Sequence, residues 1–176
     1  MNQNKRVMFI TQSAVIATLY AALTYAQGFL LPGTTSFVIQ FRASEALMML
    51  ALLTPAAIPG LTIGCFVFNI GNAGALPFDW WLGTLATLLA AVSMYWLRNV
   101  KVFKIPIFAA LMPAIFNGII VGYELTFFGI PGLFGKITFI SNAICVAIGE
   151  AAVLLVLGLP FYLWAINMNK KAHFLS

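Results

Sequence analysis

Apolar residues in this chain come in runs long enough to cross a lipid bilayer, and the polar residues collect at the breaks between them. The run from Val7 to Gln27 follows Lys5 and Arg6. It is long for the apolar region of a signal peptide, and Thr24-Tyr25-Ala26 is a weak cleavage match, so a retained helix over 7–27 is predicted. The stretch 28–40, with Pro32 and Gly33, is too polar and too broken to span and predicts an external loop. Residues 44–72, "SEALMMLALLTPAAIPGLTIGCFVFNIGN", carry Pro55 and Pro59 in the middle, which gives either one broken helix or two short ones over 43–55 and 58–72. Later segments are plainer: 79–97 and 105–124 each approach the roughly 20 residues a hydrocarbon core requires. The Gly- and Pro-rich "FFGIPGLFG" reads as an interfacial loop, and a last span lies within 137–164.

Positive charge decides the ambiguity at Pro55–Pro59. With two short helices there are six spans, and Lys5/Arg6, Arg98/Lys101/Lys104 and Lys170/Lys171 all fall on one side. With one broken helix, the second and third clusters land opposite the first. The positive-inside rule favours six spans with both termini cytoplasmic. Spans two and three are then short for free exposure to lipid, which predicts that neighbours shield them and that Pro55–Pro59 is a tight cytoplasmic turn.

Composition agrees. Of 176 residues, 62% are hydrophobic and 7% charged, with mean hydropathy +1.02, whereas about a quarter of a soluble domain is charged. Too little charge is present to cover a water-facing surface, so the chain reads as a single all-α integral membrane domain in the cell membrane. The net charge of +5 does not imply nucleic acid, because the basic residues sit at segment ends. Cys65 and Cys145 lie within apolar segments and read as small packing residues; the one histidine, His173, is in the polar tail. Nothing resembles a metal-ligand set, and no cofactor is expected. "GLFGKIT" at 132–138 imitates a nucleotide loop, but its first Gly is misplaced and Ile137 stands where Ser or Thr is needed. No nucleophile–base pair is found, so the chain is not expected to be an enzyme or to hydrolyse ATP.

The informative asymmetry lies in the acids. In the six-span topology all four carboxylates, Glu45, Asp79, Glu124 and Glu150, fall in the external half together with Arg42, while seven of nine basic residues face the cytoplasm. Glu150 lies on the order of 10 Å below the outer end of its span if that span starts near Ala143. A charge within a membrane helix costs roughly 2.5–3.5 kcal/mol and by default marks function. The bland alternatives are headgroup positions for Glu45 and Asp79, and mutual neutralisation of Arg42 and Glu45, three apart on one helical face. Asn69 and Asn72 end span three, Asn117 shares a face with Glu124, and Asn142 precedes Glu150. Each alone is interhelical glue, worth about 0.6 kcal/mol; together with the acids they point to a ligand pocket. Phe41, Trp80, Trp81, Tyr123, Phe127, Phe128 and Phe134 fall near the same face, mostly as an interfacial belt, with one or two available to stack on a planar ligand. Small residues repeat in span one as Ala14, Thr18, Ala22 and Ala26, with Ala17 and Ala21 in the adjacent row. Gly60/Gly64 and Gly118/Gly122 are close-approach pairs for packing within the bundle.

"FRASEAL", "TPAAIPGLTIGC", "FDWWLGTLATLLAA", "FNGIIVGYEL" and "AIGEAAVLLVLGLP" occur in an order that resembles the QueT family over roughly residues 8–162. These are queuosine-precursor transporters, substrate-binding (S) components of energy-coupling-factor (ECF) importers. The resemblance implies a six-helix S component without its own ATPase, which works with a membrane scaffold subunit and two cytoplasmic ATPases. It implies substrate capture beneath the loop 28–40, and docking of the scaffold on the small-residue face at Ala17 and Ala21. The implied ligand is a 7-deazaguanine such as queuine or its aminomethyl precursor. A guanine-like edge offers two adjacent N–H donors to a carboxylate, which gives Glu150, Glu124 and Asn117 the central contacts, with Glu45 and Asn69 beside them and Arg42 and Asp79 at the margin. Trp80-Trp81 depart from the smaller aliphatics of that family, and rings facing the site would change the ligand. An S component for another vitamin, an intramembrane enzyme using the outer carboxylates, and a stand-alone channel are the competing readings.

Overall fold

The computed structural model describes residues 3–34, 41–72, 76, 78–102, 105–132 and 135–172, with side chains to residue 169. Phe134, His173, Lys104, the side chains of Lys170 and Lys171, and loop positions 35–40 therefore lie outside the described residues. The helices are α1 (Gln3–Leu30), a 3₁₀ helix (Ala43–Leu52), α2 (Ala57–Gly71), α3 (Asp79–Leu97), α4 (Ile107–Ala110), α5 (Met112–Phe127), α6 (Phe139–Val153) and α7 (Leu159–Ala172), with a π-helical turn at Leu154–Gly158. Gln3–Leu30, Asp79–Leu97, Ile107–Phe127 and Phe139–Asn169 are long and apolar enough to cross a membrane; Ala43–Leu52 and Ala57–Gly71 are shorter apolar helices. Among the described residues there is no strand, only an isolated antiparallel pairing of Val102 with Ile105.

Proline places several of these boundaries. The 3₁₀ helix gives out just before Thr54-Pro55, and α2 begins at once, so the apolar run 44–72 is two helices rather than one broken helix. Pro160 brings no N–H to the carbonyl four residues back and crowds it. The backbone widens into the π turn immediately ahead, which keeps α6 and α7 one continuous rod.

Packing contacts set the direction of each segment. Gly60 of α2 lies on Ser13 and Ile16 of α1, and Gly64 lies on Ala17 and Tyr20, so these two run parallel. The 3₁₀ helix runs opposite to α1, since Ser44 meets Thr24 at 2.7 Å and Thr54 meets Gln12 at 3.5 Å. α3 returns along α2, with Asn69 on the Asp79 carbonyl and Thr87 on Cys65. Phe78 beside Phe127, and Gly118 and Gly122 against Ala147 and Ala143, make α5 antiparallel to α3 and α6 antiparallel to α5. One end of the bundle thus collects the start of the 3₁₀ helix, the end of α2, the start of α3, the end of α5 and the start of α6. The opposite end collects the start of α1, the Thr54–Ala57 turn and the connection after α3. The end of α7 is there too, across an apolar cleft of about 980 Å³ from the first turns of α1.

The 3₁₀ helix is the axis of this arrangement. Leu47 through Leu52 are buried, packed among Ile16, Leu61, Met94 and Leu154. A helix apolar on every side belongs in a core, so this short segment is shielded as its length demands. The expectation fails for α2. Ile63, Val67 and Ile70 are 51%, 48% and 56% exposed, because α2 packs only its flanks on α1 and α3 and leaves one apolar face outward. α1 is inverted relative to a water-soluble helix: Ser13, Ile16, Tyr20 and Thr24 point inward while Val15, Leu19 and Leu23 lie outside. That pattern suits a lipid solvent, where polar groups gain by facing the bundle. α1 also continues past Gln27 to Leu30, and the helix carrying Glu124 continues to Phe127, which puts Glu124 about one turn inside rather than at the helix end.

Candidate functional site

Every charged side chain singled out in the sequence near the external face is buried: Arg42, Glu45, Asp79 and Glu124 toward one end of the bundle, and Glu150 about 16 Å along α6 from that end. Glu45, Asp79, Glu124 and Glu150 are 2%, 7%, 1% and 2% exposed, and Arg42 is 5% exposed. They come from the 3₁₀ helix and its N-cap, α3, α5 and α6, four elements brought together by the alternation of segments described above.

Arg42 does not pair with Glu45. Its extended backbone as N-cap of the 3₁₀ helix takes the side chain off the helical face assumed from the three-residue spacing. The guanidinium instead lies 3.9 Å from the Asp79 carboxylate and 5.4 Å from the centroid of the Phe68 ring. Glu45 accepts the hydroxyl hydrogen of Tyr20 from α1. Thr24, one turn further along α1, sits 2.7 Å from both the Tyr20 carbonyl and the Ser44 hydroxyl, so α1 and the 3₁₀ helix are joined at two successive levels.

Asn117 donates from Nδ2 to Glu150 Oε1 at 2.8 Å, linking α5 to α6. Arg42 and Glu45 are the charges that Glu150 feels, and Asp79 and Arg42 those that Glu124 feels, so the acids form one electrostatic group. Asn69 donates to the Asp79 carbonyl at 3.0 Å, and its Oδ1 is left without a hydrogen-bond partner. Oε2 of Glu45 and of Glu150, and both oxygens of Glu124, are also buried without a hydrogen-bond partner; the Phe78 backbone N–H faces Glu124 without closing a well-formed bond. A buried acceptor left unpaired is costly, and three carboxylates and the Asn69 amide in that condition make a concentrated acceptor surface.

Other singled-out residues stand apart. Asn142 donates to Thr126 Oγ1 and to the Ile130 carbonyl, both at 3.0 Å, and serves as a tether for the loop after α5. Trp80, Trp81, Tyr123 and Phe127 are exposed, and the two Trp rings lean on each other at 5.2 Å. The Trp80-Trp81 departure therefore does not alter the buried cluster. The ring that does reach it is Phe68, 2% exposed. Ala17 and Ala21 line a shallow groove of about 700 Å³ between α1 and α2, with Ala14, Thr18 and Ala22 beside them. Among the described residues no three His, Cys, Asp or Glu side chains are arranged to hold a metal ion.

Sequence reading missed Tyr20, Phe68 and Gln27. Tyr20 was readable, since Ser13, Tyr20 and Thr24 mark a polar stripe at helical spacing on the helix that also carries the small-residue rows. Gln27 clamps the connection after α1: its amide nitrogen donates to Thr34 Oγ1 at 3.0 Å and to the Phe41 carbonyl, and its oxygen accepts from the Ala43 N–H at 2.7 Å.

The family model of the QueT transporter matches residues 10–167. The chain belongs to the QueT transporter family. Comparison with curated proteins gives no match, and comparison with solved structures gives none. The QueT match runs from the first turns of α1 into α7 and contains every member of the buried cluster. A QueT transporter is a membrane transport protein rather than an enzyme, with a small molecule as its substrate. The helices long and apolar enough to cross a bilayer agree with that class.

Proposed function

We propose that this QueT-family protein is the substrate-binding component of an ECF-type importer, taking up a queuosine precursor such as queuine or a related 7-deazaguanine. All six helical segments cross the membrane, both termini are cytoplasmic, and the acidic end of the bundle faces outward. The observation that carries the reading is the convergence of Glu45, Glu124 and Glu150, buried and with acceptor oxygens unspent, with Asn117 held on Glu150, on the side away from Lys5, Arg6, Arg98 and Lys101. The positive-inside rule puts the basic end in the cytoplasm, which sets the buried acceptors on the side from which external substrate arrives.

A guanine-like ring edge presents adjacent N–H donors that a carboxylate accepts in bidentate fashion. Glu150, held by Asn117, and Glu124 make the central contacts; Glu45 and Asn69 complete the acceptor wall, and Arg42 with Asp79 balances charge at its margin. Substrate is captured beneath the connection that follows α1, whose base Gln27 pins. Lacking a motor, the loaded protein hands its cargo to a membrane scaffold subunit driven by two cytoplasmic ATPases. The scaffold docks along the small-residue groove at Ala17 and Ala21.

Native mass spectrometry of the gently purified protein, followed by calorimetric titration with 7-deazaguanines, tests the reading. Glu150→Gln should weaken binding about 10- to 100-fold, the scale of a charge-assisted hydrogen bond, with its circular dichroism spectrum unchanged. Unchanged affinity removes Glu150 from the site. Substrate flux through vesicles lacking ATPase partners would replace the importer with a channel.

A further inference from the structure

The cleft of about 980 Å³ between α1 and α7 lies toward the other end of the bundle and shares no residue with the acidic cluster. Its floor is Ile16 of α1 with Leu47 and Leu50 of the 3₁₀ helix, all buried. Its walls are long apolar side chains, Val15 and Leu19 on α1 and Phe161, Trp164 and Met168 on α7. Polar residues mark the mouth, Asn4 in the first turn of α1 and Asn169 near the end of α7. Beyond Gln12 the α1 side of the cleft is wholly apolar. Lys5 is exposed at the mouth and shares the helix face of Gln12, two turns further on.

Shape and charge choose the occupant. A partner helix needs small residues for close approach, and on α1 those lie on a different face, where Ala14, Ala17 and Ala21 line the groove against α2. The α1–α7 walls are bulky and flexible instead, which suits a chain that bends to fit. About 22 Å of helix axis separates Asn4 from Leu19. One leaflet with its headgroups is roughly 20–22 Å deep, so the cleft has the length of a single lipid. We propose that it seats an anionic phospholipid: one acyl chain lies on Leu47 and Leu50 between α1 and α7, and the headgroup phosphate meets Lys5 at the mouth, beside Asn4. Basic pockets between membrane helices select anionic headgroups, and Lys170 and Lys171 follow Asn169 along α7 to add positive charge at that end. The chain covers the open side of the 3₁₀ helix, which is too short to face lipid unaided. Neither the carboxylates nor their ligand takes part, so this seat stands apart from the importer reading.

Native mass spectrometry tests the seat on the full-length protein, released from nanodiscs of equal phosphatidylglycerol and phosphatidylcholine. One phosphatidylglycerol should stay bound; phosphatidylcholine in its place, no lipid, or a second copy of the chain overturns the proposal. Fluorescence then locates the lipid. Trp164 is left as the sole tryptophan by Trp80→Phe, Trp81→Phe and Trp96→Phe, all at exposed positions. Brominated phosphatidylglycerol should quench Trp164 at an about five-fold lower mole fraction than brominated phosphatidylcholine, the preference that one lysine confers. Lys5→Gln should remove that preference. Val15→Phe, which fills the cleft from a half-exposed position, should reduce it with the thermal midpoint unchanged. Equal quenching by the two lipids, or a preference that survives Lys5→Gln, overturns the proposal. The mass measurement uses the wild-type chain, so a tryptophan variant that fails to fold leaves the outcome decided by the retained lipid.

Discussion

Tyr20 gives its hydroxyl hydrogen to Glu45 in a buried setting, and it does so from α1, the helix that also carries Ala17 and Ala21. Tyr20→Phe keeps the ring and removes the donor, so it leaves Glu45 with neither oxygen satisfied by that contact. Loss of a hydrogen bond to a charged acceptor costs about 1.5–3 kcal/mol, and the expected outcome is a lower thermal midpoint in detergent. In a Glu45→Gln background the same substitution should cost much less; an equal cost in both backgrounds would mean that the pair is not coupled. At this scale the sequence was legible in type more than in pairing. The inward, acidic character of Glu45, Glu124 and Glu150 followed from the expense of charge in lipid, which needs no knowledge of neighbours. The partners did not follow. Arg42 and Glu45 stand three apart and invite an ion pair, yet Arg42 sits on an extended N-cap and reaches Asp79, thirty-seven positions away, a distance visible only after folding.

Among the elements, α5 and α6 meet where Gly122 lies under Ala143. A Cβ at Gly122 would come within 2.7 Å of Ala143 Cα and 2.8 Å of its backbone nitrogen, atoms that cannot swing aside. Gly122→Ala must push the two helices apart, at a cost of about 1–3 kcal/mol for overpacking. The same two helices hold the Asn117–Glu150 bond at 2.8 Å, so ligand affinity should fall together with the thermal midpoint. Ile119→Ala on the outward face of α5, 53% exposed, should change neither; if Gly122→Ala also changes neither, the close approach is not structural. Small-residue spacing made this contact readable, as it did Gly64 against Ala17 and Tyr20. The character of Ala43–Leu52 was not readable. From Ala46 to Leu52 its residues are apolar on every side, so periodicity is silent on whether three or 3.6 residues make a turn, and only the packed bundle distinguishes them.

For the whole molecule, the alternation of segments separates two chemistries. Lys5, Arg6, Arg98 and Lys101 gather at one end, and Glu45, Asp79, Glu124 and the start of α6 at the other. The hydropathy pattern carried this layout, because run lengths and basic clusters are local properties, whereas the cleft between α1 and α7 and the exposed face of α2 depend on which helices become neighbours. Sidedness follows from the same separation and is open to direct measurement. Asn99 and Lys136 are exposed at opposite ends, and the native Cys65 and Cys145 are buried. In intact cells a membrane-impermeant maleimide should label Lys136→Cys and spare Asn99→Cys, with both labelled once the membrane is opened. The reverse pattern would put the carboxylates in the cytoplasm. Uptake from outside would then lose its receiving surface, because Glu124 and Glu150 would meet their ligand only after it had already crossed.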